Sequence, residues 1–161
     1  MPVLNIQFGG QGKRADGAVV DIPPAFALAQ RGPCLQVLLG VAQPIARQLL
    51  QQGKTLPQPV SGLALIDTGA STTCIDEEAA RNLGLPVTNV VTVASASHSA
   101  AQGNVYPAQI EVIGLPIAIN ALNSIGAPLA AQGLIALLGR DVLQHSTVFF
   151  NGPAGSISFA L

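Results

Sequence analysis

The sequence predicts an all-β fold, a barrel or sandwich with one to three short helices, and three observations carry that expectation. Short apolar runs separated by turn-forming Gly, Pro, Asn and Asp recur along most of the chain. Two segments alternate residue by residue: Gln109-Ile110-Glu111-Val112, and the C-terminal stretch in which Ile157, Phe159 and Leu161 share one face. Helix start and stop signals flank only a few brief segments. At 161 residues, the expected organisation is one domain over residues 1–161.

Taken in order, residues 3–8 read as a short strand. Gly9-Gly10-Gln11-Gly12-Lys13-Arg14 has the outline of a phosphate loop but fails as one. Gln7 stands where the first glycine belongs, and Arg14 where a magnesium-binding Ser or Thr belongs, so a flexible turn is expected. Residues 15–33 show no period and contain Pro23-Pro24, which predicts loop or weak strand. Residues 35–41 form a β run. Pro44 then opens a helix whose Ile45, Ala46, Leu49 and Leu50 share a face and which Gly53 stops. Residues 62–67 are the next strand, and residues 72–75 continue it beyond a turn. Asp76, Glu77 and Glu78 put acids on the first turn of a second helix, where the helix dipole favours them, and Gly84 ends it before Pro86. Residues 87–93, 105–113 and 117–121 are strand-like, and residues 140–144 read as about one helical turn. Residues 147–150 and 156–161 make a hairpin around Asn151-Gly152-Pro153-Ala154-Gly155.

One stretch stands apart chemically. In Leu63-Ala64-Leu65-Ile66-Asp67-Thr68-Gly69-Ala70-Ser71-Thr72 an apolar strand runs straight into an acid, and a Thr-Gly turn follows. An isolated charge at the end of a buried strand is costly unless a partner lets it share or lose a proton. The bland alternative is a strand leaving the core through an ordinary Asp-Gly turn. Downstream, Ile135-Ala136-Leu137-Leu138-Gly139-Arg140-Asp141-Val142-Leu143 supplies a second motif: aliphatic residues, then Gly-Arg-Asp and Leu.

Together and in this order, the two motifs resemble the retropepsin-like aspartic proteases of retroviruses and bacteria. The resemblance covers residues 63–75 and 134–143 and extends toward the C-terminus. It implies a closed acid-protease barrel with one lobe per chain. It also implies an aspartic endopeptidase that hydrolyses peptide bonds with a water activated by a pair of aspartates. Two carboxylates close enough to share one proton cannot both ionise, so one serves as base while the other serves as acid. The chain holds a single Asp-Thr-Gly, and none of Asp16, Asp21, Asp76, Glu77, Glu78, Glu111 and Asp141 has the flanks of Asp67. The second carboxylate is therefore expected from another copy, in a homodimer with a two-fold axis between two Asp67 side chains.

By the same resemblance Asp67, Thr68 and Gly69 are the catalytic residues, with Thr68 bonding across the dimer axis and Gly69 admitting backbone near the dyad. Ala70, Ser97, His98, Ser99 and Leu138 are expected to bind substrate, the middle three from a flap within residues 91–106. Leu137, Gly139 and Arg140 are expected to support the turn. The family's usual acid two residues after its catalytic glycine is replaced here by Ser71, which leaves the partner of Arg140 open. The termini are expected to interleave into a sheet shared by the dimer. A non-catalytic barrel of the same shape, binding peptides or dimerising a larger assembly, is the alternative, and retention of Asp67, Thr68 and Gly69 together argues for the enzyme.

Composition excludes several other classes. Only 9% of residues are charged and the net charge is −1, with no basic cluster to neutralise phosphates, so nucleic acid is not an expected partner. No apolar run is long enough to span a bilayer and no secretory leader is legible, so no membrane partner and a cytoplasmic location are expected. Cys34 and Cys74 are too few for a disulfide framework and read as free thiols. His98 and His145, the two histidines, have no metal-ligand spacing with them, and neither metal nor cofactor is expected.

Overall fold

The computed structural model describes residues 1–95 and 98–161. In chain order its strands and helices are β1 (Val3–Gln7), β2 (Gly10–Lys13), β3 (Val19–Ile22), α1 (Pro24–Arg31), β4 (Cys34–Val41) and α2 (Gln43–Gln51). There follow β5 (Val60–Ile66), β6 (Cys74–Asp76), α3 (Glu77–Asn82), β7 (Asn89–Ser95), β8 (His98–Val112) and β9 (Ala118–Ala127). A single 3₁₀ turn (Ala130–Gln132) leads to β10 (Ala136–Leu138), α4 (Arg140–Leu143), β11 (Thr147–Asn151) and β12 (Ser156–Ala160). The chain divides into two compact units, Leu35–Gln144 and the combined Met1–Cys34 and His145–Leu161.

The larger unit is a closed mixed barrel. Its strands run β4-β5-β10-β6-β9-β8, and β8 returns to pair with β4, from Val37 opposite Val112 to Val41 opposite Ala108. Closure removes the sheet edges that would otherwise have to be covered. Leu35, Val37 and Leu39 from β4, Ala64 from β5, Ile75 from β6, Ala108 and Ile110 from β8, and Ala136 and Leu138 from β10 are all fully enclosed and form the core. The alternation that predicts strands at residues 109–112 is thus an inside–outside pattern: Ile110 and Val112 point inward, and Glu111 outward. Only the C-terminal half of β8 belongs to the ring. Its N-terminal half extends as a hairpin with β7, from Asn89 opposite Val105 to Ser95 opposite His98.

The smaller unit holds a three-stranded antiparallel sheet, β1-β12-β11, and the separate hairpin β2–β3. The expected hairpin of β11 and β12 is present, and β1 pairs along the other side of β12, Val3 opposite Ala160 through Gln7 opposite Ser156. Both sides of β12 are therefore occupied by this chain's own strands. A sheet shared with another copy would have to grow from β1 or β11.

Two expectations in this unit are corrected. The glycine-rich stretch at residues 9–14 is not a free turn, since Gly10–Lys13 pairs with Val19–Ile22. Residues 15–33 contain α1, a fourth α-helix beyond the three anticipated. Pro24 sits in its first turn, where a missing N–H costs nothing, and the helix buries Ala27 and Leu28. Pro23-Pro24 starts a helix here. Among the described residues, no helix is long and apolar enough to cross a membrane.

Candidate functional site

Strand β5 delivers Asp67 to the end of the barrel, one residue past its last strand position. The Asp67 N–H donates to the Leu138 carbonyl at 3.0 Å, continuing the parallel pairing of β5 with β10. The chain then turns back on the acid. The N–H groups of Gly69 and Ala70 donate to Asp67 Oδ1 at 2.8 and 3.3 Å, and the Ala70 N–H also reaches the Asp67 carbonyl at 3.3 Å. Asp67 Oδ2 makes no hydrogen bond among the described residues. One carboxylate oxygen is thus fixed by backbone dipoles, while the other is left for something outside this turn. Gly69 eases the close approach, because a Cβ there would lie a tight 3.1 Å from Asp67 Oδ1.

The second motif encloses the first. Past Leu138, the Arg140 N–H donates to the Ala70 carbonyl at 3.0 Å, and the Asp141 N–H donates to the Ser71 carbonyl at 3.3 Å. Arg140 is exposed and has no acid partner among the described residues. Its Nη1 instead donates to the carbonyls of Thr68 and Gly69, at 2.8 and 2.9 Å. A positive group thereby holds the two peptide units that carry the carboxylate-binding amides. This answers the question left by Ser71: the arginine bonds main-chain oxygens of the turn.

Asp141 is the residue that the sequence reading undervalued. Both of its carboxylate oxygens accept from the Thr73 N–H at 3.0 Å, and Oδ1 also accepts the Thr73 hydroxyl at 2.8 Å and the Val142 N–H at 3.0 Å. Thr73 is completely buried, and its Oγ1 accepts the Gly139 N–H at 3.1 Å. Gly139 permits this contact, since a Cβ would stand 2.5 to 2.8 Å from the backbone of Thr72 and Thr73. The position of Asp141 directly after Gly139-Arg140 was the available signal, but its partner lies 68 residues away.

The expected substrate residues fare differently. Ala70 is in the turn, half-buried. Ser97 lies outside the described residues, and for His98 and Ser99 only the backbone is described, at the start of β8. Leu138 is fully buried in the barrel, and its carbonyl accepts the Asp67 N–H. Leu137, assigned to support, is the half-exposed member of the pair. The cause is strand alternation in β10, which sends neighbouring side chains to opposite faces.

A cleft of about 410 Å³ begins at Ser71 and Thr72, on the same connection as Asp67. Asn89, Val91 and Val105 of the β7–β8 hairpin and Ile125 of β9 wall it, and among the described residues no charged one lines it. Among the described residues no cluster of His, Cys, Asp and Glu could hold a metal ion, and Cys34 and Cys74 are free thiols. Burial raises the Cys74 thiol above the ordinary range, and the nearby negative charges of Asp141 and Asp67 add to the shift, which disfavours a nucleophilic thiolate.

Residues 59–145 match the family model described as "gag-polyprotein putative aspartyl protease". The matched region runs from before β5 to just past α4 and so takes in both motifs. A retropepsin-like aspartic protease from Rickettsia conorii, known from its crystal structure, is similar over 98% of this chain and 91% of that one, at 14% identity and a TM-score of 0.46. No curated protein sequence shows significant similarity.

Proposed function

Since the chain belongs to the gag-type aspartyl protease family, we propose that it is an aspartic endopeptidase, active as a homodimer in which two copies of Asp67 form the catalytic dyad. The observation that carries this reading is the division of labour on the Asp67 carboxylate. Turn amides hold Oδ1, and Oδ2, at the end of a closed barrel, accepts no hydrogen bond among the described residues. Asp141 is the neighbouring acid in the same network, but its oxygens are spent on Thr73 and Val142, so it does not supply the second carboxylate. A second Asp67 does, across a two-fold axis.

In the reaction, the ionised carboxylate takes a proton from water, and the water oxygen bonds to the substrate carbonyl carbon. The protonated partner gives its proton to the carbonyl oxygen. The carboxyl that took the water proton then gives it to the amide nitrogen. The C–N bond breaks while a hydroxyl proton of the gem-diol returns to the now-ionised partner, and a carboxyl group and an amine leave a singly protonated dyad. Thr68 and Gly69 complete the catalytic turn. The β7–β8 hairpin acts as the flap that covers substrate, Ser97, His98 and Ser99 contact substrate from it, and Ala70 does so beside Asp67. The uncharged cleft lining supports a peptide substrate that is uncharged where it crosses this wall. The partner joins through an open edge of the terminal sheet, β1 or β11, and the exposed Phe149 and Phe150 of β11 support that edge. The free thiols support a cytoplasmic setting for the enzyme.

The test is cleavage of a mixed peptide library by the wild type and by Asp67→Asn, read by mass spectrometry, with molecular mass followed by sedimentation. Cleavage by the wild-type dimer, reduced to background in the variant without loss of the dimer or of thermal stability, is the expected result. Equal cleavage by both proteins, or full activity in a monomer, would overturn the assignment.

A further inference from the structure

Glu77 has a place in the barrel that its position on α3 does not require. It is the first residue of the helix, and Asp76 already caps that helix by accepting the Ala79 N–H at 3.1 Å. The Glu77 carboxylate turns instead toward the strands. Its Oε1 accepts the Tyr106 hydroxyl at 2.7 Å and the Asn104 side-chain amide at 3.0 Å, and Arg81 Nη2, one helical turn on, donates to the same oxygen at 3.0 Å. Its Oε2 packs on the backbone of Gly126, where any Cβ would collide with it and would stand 2.9 Å from the Tyr106 ring. Tyr106 is 2% exposed.

Strand geometry relates this cluster to the cleft. Side chains alternate along a strand, so Asn104 and Tyr106 leave one face of β8 and Val105 leaves the other. Val105 pairs with Ile125 on β9, next to Gly126. Val105 and Ile125 are cleft residues. The carboxylate therefore grips the back of the same two strands whose front faces form the cleft wall. The grip falls at the root of the β7–β8 hairpin, where Asn89 is opposite Val105.

We propose that Glu77 is a positioning residue for the substrate cleft: through Asn104, Tyr106 and Gly126 it fixes the Val105–Ile125 wall and the root of the hairpin against α3. The link from wall to substrate rests on the peptidase reading; the link from Glu77 to wall does not. Loss of the carboxylate frees the wall, so substrate binding suffers while the chemistry at Asp67 is untouched. Such a residue raises KM and leaves kcat nearly unchanged. Glu77→Gln keeps a carbonyl oxygen for Tyr106 and Asn104 and serves as the conservative rescue.

The experiment compares the wild type, Glu77→Ala and Glu77→Gln in two readouts. The first is amide hydrogen exchange at Asn104, Val105 and Ile125, with Leu39 and Ile110 of the barrel core as internal references. The second is KM and kcat on the best-cleaved member of a fluorogenic library of uncharged peptides, with Asp67→Asn as the control for genuine activity. The expected result for Glu77→Ala is faster exchange confined to the wall, KM raised about tenfold, kcat within about twofold, and recovery of most of the loss in Glu77→Gln. Uniformly faster exchange that includes the core references, or kcat falling with KM constant, would overturn the proposal and leave Glu77 a stabilising residue only. If cleavage does not depend on Asp67, the peptidase reading fails, and the exchange data alone decide whether Glu77 holds the wall.

Discussion

Replacing Asp141 by Ala removes the acceptor for two donors of a fully buried residue, the Thr73 N–H and the Thr73 hydroxyl. A buried donor left without a partner costs about 1–3 kcal/mol. Two of them give about 4 kcal/mol, a large share of the roughly 5–15 kcal/mol that holds a domain of this size. In a chain of this length that corresponds to a melting temperature lower by about 8–16 °C. Asp141→Asn keeps one acceptor oxygen and is expected to cost about 1–2 kcal/mol. Thr73→Val strands the Gly139 N–H and, with Asp141→Ala, completes a double-mutant cycle whose coupling should exceed about 1 kcal/mol. Urea denaturation of the wild type and the four variants supplies every term. The reasoning fails if Asp141→Ala lies within about 0.5 kcal/mol of the wild type, the range of an ordinary surface substitution, or if the two changes are simply additive.

Further outcomes follow from the same geometry. Arg140→Met should leave stability within about 1 kcal/mol, since the side chain is exposed, but lower kcat/KM on a library peptide by loosening the Thr68 and Gly69 carbonyls. Arg140→Lys should restore part of that loss, because a single nitrogen, Nη1, makes both bonds; equal kcat/KM in all three proteins would dismiss the clamp. Gly139→Ala should destabilise by about 3 kcal/mol or more in thermal unfolding, since its Cβ would press on the rigid backbone of Thr72 and Thr73 rather than on a movable side chain. Burial pushes the Glu77 carboxyl up, but the bonds from Tyr106, Asn104 and Arg81 outweigh it and hold the group below the usual carboxylate range. The stabilisation it gives is therefore present above the ordinary carboxylate value and lost as pH falls through the lower folded one. Unfolding followed from neutral to acid pH should show a shallower acid loss in Glu77→Gln than in the wild type.

Much of the fold was legible because its determinants are local. Alternation at Gln109-Ile110-Glu111-Val112, the acids opening α3, Gly53 and Gly84 at helix ends and the turn between β11 and β12 each act within a few residues. Asp67 and the Gly139-Arg140 motif were readable for the same reason, since an apolar strand ending on an acid is a local anomaly. Pro23-Pro24 misled because proline breaks a helix interior but suits its first turn, and the difference lies in whether Ala27 and Leu28 find a core to enter.

What only the tertiary structure decided are relations between residues far apart in the chain. Barrel closure depends on β4 meeting β8, and the partner of Asp141 lies 68 residues back, at Thr73. Arg140 bonds turn carbonyls because the parallel register of β5 and β10 brings it to them. The burial of Leu138 and the half-exposure of Leu137 follow from the inside–outside sense of β10, which the sequence leaves open because both residues are equally apolar. Glu77 reads in sequence as one more acid on a helix. It reaches the back of the cleft wall only because β8 and β9 pair at Val105 and Ile125 and Gly126 leaves room for a carboxylate.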